Sequence, residues 1–365
     1  MNLMTSPRSV AISITSHCNL TCLYCFHYTS AGDTARDLPV EEWLLFFEEL
    51  GRLAIMDVII SGGEPFLYHD FRNIISGVVA NRMRFSVLSN GTLIGEDDAR
   101  FLAATGRCNY VQISLDAGQP DLHDACRGDG NFFKAVQGLD NLRAAGVNTT
   151  VRVTINRHNV HHLEDTACFL LEEKGLAGFS TNAADYQGLC RENSDIQLNN
   201  EERVIAMETL VRLNKKYHNR ITGGAGPLAD ARLWTAMEEA RRSGVEQFPR
   251  GGALTACGCV WNRLAVRPDG VMVPCNQMSH IELGHINRDS LTTVWHDHPE
   301  MQRLRQRHTI PLSTFAECRD CSYMPYCTGN CPALAHSLSG DAYAPSPDAC
   351  LKRFLADGGT LPRGR

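Results

Sequence analysis

Hydrophobic and polar residues alternate from Ser9 to Thr15, with Val10, Ile12 and Ile14 on one face, and this period of two marks a half-buried strand. Short strand-like runs recur at Asp57 to Ser61, Phe85 to Ser89, Val111 to Leu115, Thr150 to Ile155 and Gly178 to Asn182. Between them the period becomes helical, over Val40 to Leu53, Phe71 to Asn81, Phe132 to Ala145 and His161 to Glu173. Strands alternating with helices predict an α/β fold built on a parallel sheet. From Asn199 the pattern turns helical. Asn199 or Asn200 offers a cap, and Val204, Met207, Val211 and Leu213 give an apolar face. A second helix is expected over Leu228 to Arg242, ending before Gly244, and both read as simple packing against the preceding domain. Gly251-Gly252 marks a boundary, so the expected division is 1–195, a helical bridge 196–250, and 251–365.

Composition narrows the class. The 365 residues are 43% hydrophobic and 21% charged, the balance of a globular protein with a large core. A net charge of −6 gives no reason to expect nucleic acid. No apolar run reaches the roughly 20 residues that cross a bilayer, and Met1 to Arg8 has no signal-peptide core, so a cytoplasmic protein is expected. Fifteen cysteines are anomalous there, because cytosolic disulfides are rare; the count points to metal or redox chemistry.

Cys18, Cys22 and Cys25 follow the first strand in the run Ser16-His-Cys-Asn-Leu-Thr-Cys-Leu-Tyr-Cys25. The C-terminal end of a strand is where α/β folds place their chemistry. Three thiolates hold three irons of a [4Fe-4S] cube, whereas an electron-transfer cluster takes four, so one iron stays open to a ligand. The plainer alternative is three buried cysteines on one helical face, at i, i+4 and i+7. With this CxxxCxxC spacing the chain resembles the radical S-adenosylmethionine (SAM) superfamily. The resemblance implies a partial (β/α)6 barrel. It also implies that the open iron chelates SAM, whose one-electron cleavage yields a 5′-deoxyadenosyl radical able to take hydrogen from unactivated carbon. By the same resemblance Gly62, Gly63, Glu64 and Pro65 bind the SAM ammonium group, and Tyr24 lies near adenine. Ser89, Asn90, Ser114, Asp116 and Arg127 line the ribose and carboxylate. A core aromatic is the plain alternative for Tyr24, and helix capping for the strand-end polar residues.

Eight cysteines follow in the C-terminal part: Cys257, Cys259, Cys275, Cys318, Cys321, Cys327, Cys331 and Cys350. Pro268-Asp269-Gly270, between two apolar runs, predicts a hairpin that returns Cys257 or Cys259 toward Cys275. A pair of zinc ribbons, each holding its ion with four cysteines, would use similar spacings. The pattern resembles the SPASM domain, the auxiliary-cluster domain of radical SAM enzymes acting on peptides and proteins. That resemblance implies one auxiliary cluster on Cys257 and/or Cys259 with Cys275 and Cys331, and a second on Cys318, Cys321, Cys327 and Cys350. The implied cofactors are SAM and three [4Fe-4S] clusters.

Further segments, Tyr28 to Asp33, Ser180 to Asn193, Cys327 to Leu334 and Ser346 to Cys350, resemble maturases of ribosomally made precursor peptides with nitrogen-fixation-type or nitrile-hydratase-type leaders. Within that group the chain is similar to the spliceases, which excise tyramine at a Tyr-Gly site and leave an α-keto-β-amino amide. Peptide crosslinking (cyclophane or thioether), epimerisation and sulfatase-type maturation are the enzyme alternatives. A zinc-ribbon binding protein is the alternative without catalysis. Cys190, on the loop after the last barrel strand, is a candidate hydrogen donor to a substrate radical, ahead of Cys126, Cys108 and Cys168; a lone cysteine is otherwise a small buried apolar group. The cluster loop starts at residue 18 and little follows Cys350, so a separate small leader-binding protein is expected. An electron donor of flavodoxin or ferredoxin type completes the expected partners.

Overall fold

The computed structural model describes residues 3–28 and 36–362. In chain order β1 (Ser9–Ser13), α1 (Val40–Arg52), β2 (Asp57–Ser61), α2 (Phe71–Ala80), β3 (Arg84–Ser89), α3 (Glu96–Ala104) and β4 (Cys108–Ser114) alternate strand with helix. They are followed by α4 (Pro120–Arg127), α5 (Asn131–Ala144), β5 (Thr149–Ile155), α6 (Leu163–Cys168) and β6 (Phe179–Ala183). Next come α7 (Asn200–Lys216), β7 (Ile221–Gly223), α8 (Pro227–Ser243), α9 (Cys259–Asn262), β8 (Arg263–Val266), β9 (Val271–Val273) and β10 (Gly284–His285). The chain divides into two compact units. One comprises Met1–Leu115, Arg127–Val151 and Gly258–Leu304; the other comprises Asp116–Cys126, Arg152–Cys257 and Arg305–Arg365.

In the first unit the strands run in the order β10-β9-β8-β1-β2-β3-β4. β1 pairs in parallel with β2, Val10 against Val58 and Ile12 against Ile60, and β2, β3 and β4 continue in parallel. The α/β class expected from periodicity is therefore the class observed. Each helix turns one stripe inward. Trp43, Phe46, Phe47 and Leu50 of α1 are buried, as are Phe71, Ile74, Ile75 and Val78 of α2, both at i, i+3, i+4, i+7. The expected hairpin is present as β8 and β9, paired antiparallel with Val266 opposite Met272 and Gly270 in the turn at φ 84°. β8 also lies parallel to β1, Val10 against Leu264, an extension of the sheet that the turn signal did not announce.

In the second unit β6 and β7 are parallel partners, Phe179 opposite Ile221. Asn199 caps α7: its side chain accepts from the Glu202 N–H at 2.9 Å, and the Glu202 carboxylate accepts from the Asn199 N–H at 2.9 Å. α8 opens on Pro227 and stops at Gly244 in the left-handed region. The two helices pack Met207, Ala231, Trp234, Met237 and Ala240 against Tyr326, Leu351 and Phe354. Val211 is a correction to the expected apolar face. It is 37% exposed, because the inward stripe runs through Leu210 and Leu213. The helix expected over His161 to Glu173 is also broken into a 3-10 turn at Val160–His162, the short α6, and wide turns over Phe169–Glu173. There the Lys174 N–H reaches back five residues to the Phe169 carbonyl. α3 and α4 went unpredicted because they are short, 9 and 8 residues, and so carry few repeats of the helical period.

Candidate functional site

The cysteine loop leaves β1 through Ile14-Thr15-Ser16-His17 and is bound at once to the end of β2. The Gly63 N–H donates to the Thr15 carbonyl at 2.9 Å and the Glu64 N–H to the His17 carbonyl at 2.8 Å. A Cβ on Gly62 would stand 2.4 Å from the Thr15 carbonyl oxygen, and one on Gly63 2.1 Å from that of His17. The close approach that these glycines permit is thus to the chain's own cysteine loop. Asp37, which sequence reasoning missed, binds the other side of that loop. Its carboxylate accepts from the Ser16 N–H (2.7 Å), the Ser16 hydroxyl (3.0 Å) and the Thr15 hydroxyl (2.5 Å), and it faces His17 Nδ1 at 3.2 Å. No motif marks Asp37, because its partners are backbone and hydroxyl groups twenty residues away. The Tyr28 hydroxyl donates to the Ser16 carbonyl at 2.7 Å. The remainder of the Tyr28 to Asp33 segment lies outside the described residues.

Glu64 is fully buried, and its carboxylate is engaged within the chain. It accepts from the Ser89 hydroxyl (2.8 Å), the Asn90 N–H (2.7 Å) and the Phe66 N–H (3.2 Å). Burial pushes it up to about 7 against these three donors. Glu64 therefore couples the ends of β2 and β3. Pro65 opens the 3-10 turn that follows. Asn90 carries the link back to the cysteines: its amide donates to Asn19 Oδ1 at 2.9 Å and approaches Cys18 Sγ at 3.8 Å.

Cys18, Cys22 and Cys25 are half-buried and share one electrostatic environment. Burial pushes the Cys18 thiol up to about 12, and the charges of Glu64, Cys22 and Cys25 add to the rise against the Leu20 N–H. Burial also raises Cys25, opposed by the His27 and Tyr28 N–H groups and by Arg127. Crowded thiols that resist losing a proton to water become good ligands when a cation replaces the proton, so the trio fits an iron-sulfur cluster. Among the described residues no three Cys, His, Asp or Glu side chains close around one ion. A cube does not require that, since each thiolate binds a different iron. Arg127 is 7% exposed, reaches Cys22 Sγ at 3.8 Å and lies over the Tyr24 ring at 5.4 Å. Tyr24 and Arg127 are thereby brought to the cysteines together. Ser114 is half-buried at the end of β4.

In the second unit Asp116 is fully buried, its carboxylate accepting from the Thr154 N–H at 2.9 Å and its own N–H donating to His123 Nδ1 at 3.2 Å. Cys318, Cys321, Cys327 and Cys350 come together there. Burial pushes Cys318 up to about 12, and the charges of Cys327, Cys350 and Cys321 contribute. Cys327 rises by burial and feels Cys350 and Cys321, while the Gly329 N–H, 3.4 Å from its sulfur, opposes the rise. Four cysteines gathered in this way suit a fully ligated cluster. Cys257 and Cys331 also lie within electrostatic reach of one another, with Cys257 in the left-handed region at φ 62°. In the first unit, Cys259 begins α9 and Cys275 follows β9. Cys190 is fully buried in the turn Gly188–Arg191; burial, with the charges of Asp185 and Asp195, pushes its thiol up to about 12. Cys126 is buried too, whereas Cys108 and Cys168 are half-buried.

A profile of the radical SAM superfamily matches residues 12–170, and one for SPASM, an iron-sulfur cluster-binding domain, matches residues 257–322. Fe-coproporphyrin III synthase of Methanosarcina barkeri is 26% identical over 361 residues, covering 94% of this chain and 88% of that protein. PqqA peptide cyclase of Ruegeria pomeroyi is 25% identical over 356 residues, with 94% and 88% covered. The crystal structure of Streptococcus suis SuiB bound to precursor peptide SuiA has a TM-score of 0.72 at 16% identity, covering 96% of this chain and 77% of that one, a likeness of fold.

Proposed function

We propose that this chain, a radical SAM enzyme with a SPASM domain, modifies a ribosomally made precursor peptide by excising tyramine at a Tyr-Gly site to leave an α-keto-β-amino amide. The observation that carries a radical reaction is the thiol trio Cys18, Cys22 and Cys25, held against the end of β2 and joined through Asn90 and Glu64 to the end of β3. The similarity to a peptide cyclase supports a peptide substrate, and the segments around Ser180 to Asn193, Cys327 to Leu334 and Ser346 to Cys350 support the splicease subgroup. The radical SAM domain binds SAM and a [4Fe-4S] cluster, which together supply a carbon-centred radical for hydrogen abstraction. The chain's own residues position these groups. Asp37, Gly62 and Gly63 fix the cysteine loop, Glu64 acts through Ser89 and Asn90, and Arg127 places positive charge beside Cys22 and Cys25. In this reading Tyr24, Pro65 and Ser114 line or support the SAM pocket. Two auxiliary clusters occupy the SPASM cysteines, a separate leader-binding protein presents the precursor, and a flavodoxin or ferredoxin supplies electrons in the cytoplasm.

The similarity to Fe-coproporphyrin III synthase favours a second reading, a tetrapyrrole substrate. Mass spectrometry of the genetically linked precursor, coexpressed with this chain and the candidate leader-binding protein, separates the two. Loss of a tyramine mass that disappears in Cys18→Ala is the expected result. A different Cys18-dependent change replaces the reaction: loss of two hydrogens marks crosslinking or serine oxidation, and an unchanged mass with an inverted residue, read by chiral amino-acid analysis, marks epimerisation. A peptide unchanged in mass and in stereochemistry, together with Cys18-dependent formation of an iron porphyrin, would overturn the peptide reading.

Cys190 remains a thiol at neutral pH, the form that gives up a hydrogen atom. If it quenches a substrate radical, Cys190→Ala keeps SAM cleavage while product falls at least about tenfold, a barrier change of about 1.4 kcal/mol. Product formation at the parent rate removes Cys190 from the reaction.

A further inference from the structure

Arg307 is fully buried, and its guanidinium is bound by backbone carbonyls. Its guanidinium donates from Nε to the Ala342 carbonyl at 2.8 Å and from Nη2 to the Ala344 carbonyl at 2.8 Å. Nη1 donates to the Asn330 carbonyl at 3.1 Å and to the Thr255 carbonyl. One planar fork thereby joins three stretches of chain. Two of them lead directly into cysteines: Thr255 lies two residues before Cys257, and Asn330 immediately precedes Cys331. Both Cys257 and Asn330 have left-handed backbones, at φ 62° and 57°. For a cysteine that conformation is unfavourable and persists where surrounding structure imposes it.

A buried cation is costly unless anions or strong acceptors surround it. Burial pushes the Arg307 guanidinium down to about 10, and the groups that oppose this are Cys331, Cys257, Asp341 and Tyr343.

We propose that Arg307 is the positioning residue of the first auxiliary cluster, fixing the backbone that presents Cys257 and Cys331 and holding a permanent positive charge beside the cluster. This rests on the reading that a cluster is bound there, and it identifies Cys257 as one of its ligands. A cation next to an iron-sulfur cluster favours the reduced state, whose negative charge is greater, so Arg307 raises the reduction potential of this cluster alone.

The test uses the full chain carrying Cys18→Ala, Cys22→Ala and Cys25→Ala, so that only auxiliary clusters report in an EPR-monitored redox titration. Cys331→Ala in that background identifies the first cluster's signal by its loss. Arg307→Gln is expected to lower that signal's midpoint by at least about 59 mV, a tenfold change in a one-electron equilibrium, and to leave the other signal unmoved. Arg307→Lys keeps the charge and loses the fork. Its midpoint should stay near the parent's, while a chelator strips the Cys331-dependent signal at least threefold faster. An unmoved midpoint in Arg307→Gln, or equal shifts of both signals, overturns the proposal. If Arg307→Gln does not fold, chelator loss from Arg307→Lys decides, and loss at the parent's rate overturns it. Absence of any Cys331-dependent signal in the parent overturns the underlying assignment of a first auxiliary cluster.

Discussion

Gly63→Ala is expected to yield a chain that keeps its SPASM iron but lacks the SAM-binding cluster and no longer cleaves SAM. The added Cβ would lie 2.1 Å from the His17 carbonyl oxygen, 2.5 Å from its carbon and 2.8 Å from the Tyr28 hydroxyl. Two of these atoms are backbone, so no rotamer change relieves the clash. The segment just before Cys18 must move away from β2. That movement breaks the hydrogen bonds from Gly63 to Thr15 and from Glu64 to His17, each worth about 1 kcal/mol, and adds about 1–3 kcal/mol of overpacking. Such a cost leaves a domain of this size folded, but it displaces the loop from which all three thiols project. Iron analysis should fall by about four atoms per chain, the content of one cube. Formation of 5′-deoxyadenosine should fall below detection. Parent-level iron and SAM cleavage in Gly63→Ala would show that the contact between β2 and the cysteine loop is dispensable.

This prediction shows which parts of the site the sequence exposed. Cys18, Cys22 and Cys25 were legible because their spacing is itself the chemical requirement, and Gly62 and Gly63 because glycine is the residue that admits a close approach. What the glycines approach was not legible, since the carbonyls of Thr15 and His17 carry no side-chain signature. Asp37 and Arg307 were hidden for the same reason. Each acts through backbone groups distant in sequence, and each looks like an ordinary charged residue in a polar stretch. Glu64 illustrates a further limit. Its motif placed it at the cofactor pocket, but only the fold shows the carboxylate saturated by Ser89, Asn90 and Phe66. Helices followed the same logic. α1 and α2 declared themselves by a strict apolar stripe, whereas Val211 lay on an apolar-looking face of α7 that the packing of Leu210 and Leu213 turns outward.

The other large effect is expected at Arg203, which holds the acidic side of the second unit together. Its guanidinium binds Asp230 at 3.0 Å and Asp348 at 3.0 Å, and lies over the rings of Trp234 (5.2 Å) and Phe354 (5.4 Å). Burial pushes Asp185 up to about 7, and the charges of Asp348 and Asp230 push the same way; Arg203 opposes them. Asp230 is raised by burial to about 6 despite its contact with Arg203. Arg203→Met removes the cation and leaves the largely buried Asp230 without its partner, a loss of about 3–5 kcal/mol for a broken buried pair, whereas Asp348 is 55% exposed and adds little. At about 2–4 °C per kcal/mol for units of this size, the melting temperature should drop by roughly 10 °C at pH 8. The sign of the pH dependence follows from the raised values. The folded chain keeps these acids neutral above their ordinary range, so the stability they contribute is full below that range and is lost as pH climbs to about 6 to 7, the values reached by Asp230 and Asp185. Without Arg203 that loss grows, and the gap between parent and variant should be small at pH 5 and widen toward pH 8. Adding Asp230→Asn to Arg203→Met should recover much of the loss at pH 8 and little at pH 5. A gap of equal size at both pH values would assign the effect to packing over Trp234 and Phe354 instead of charge. Because Asp185 also contributes to the raised Cys190 thiol, its ionisation connects this acidic network to the candidate hydrogen donor.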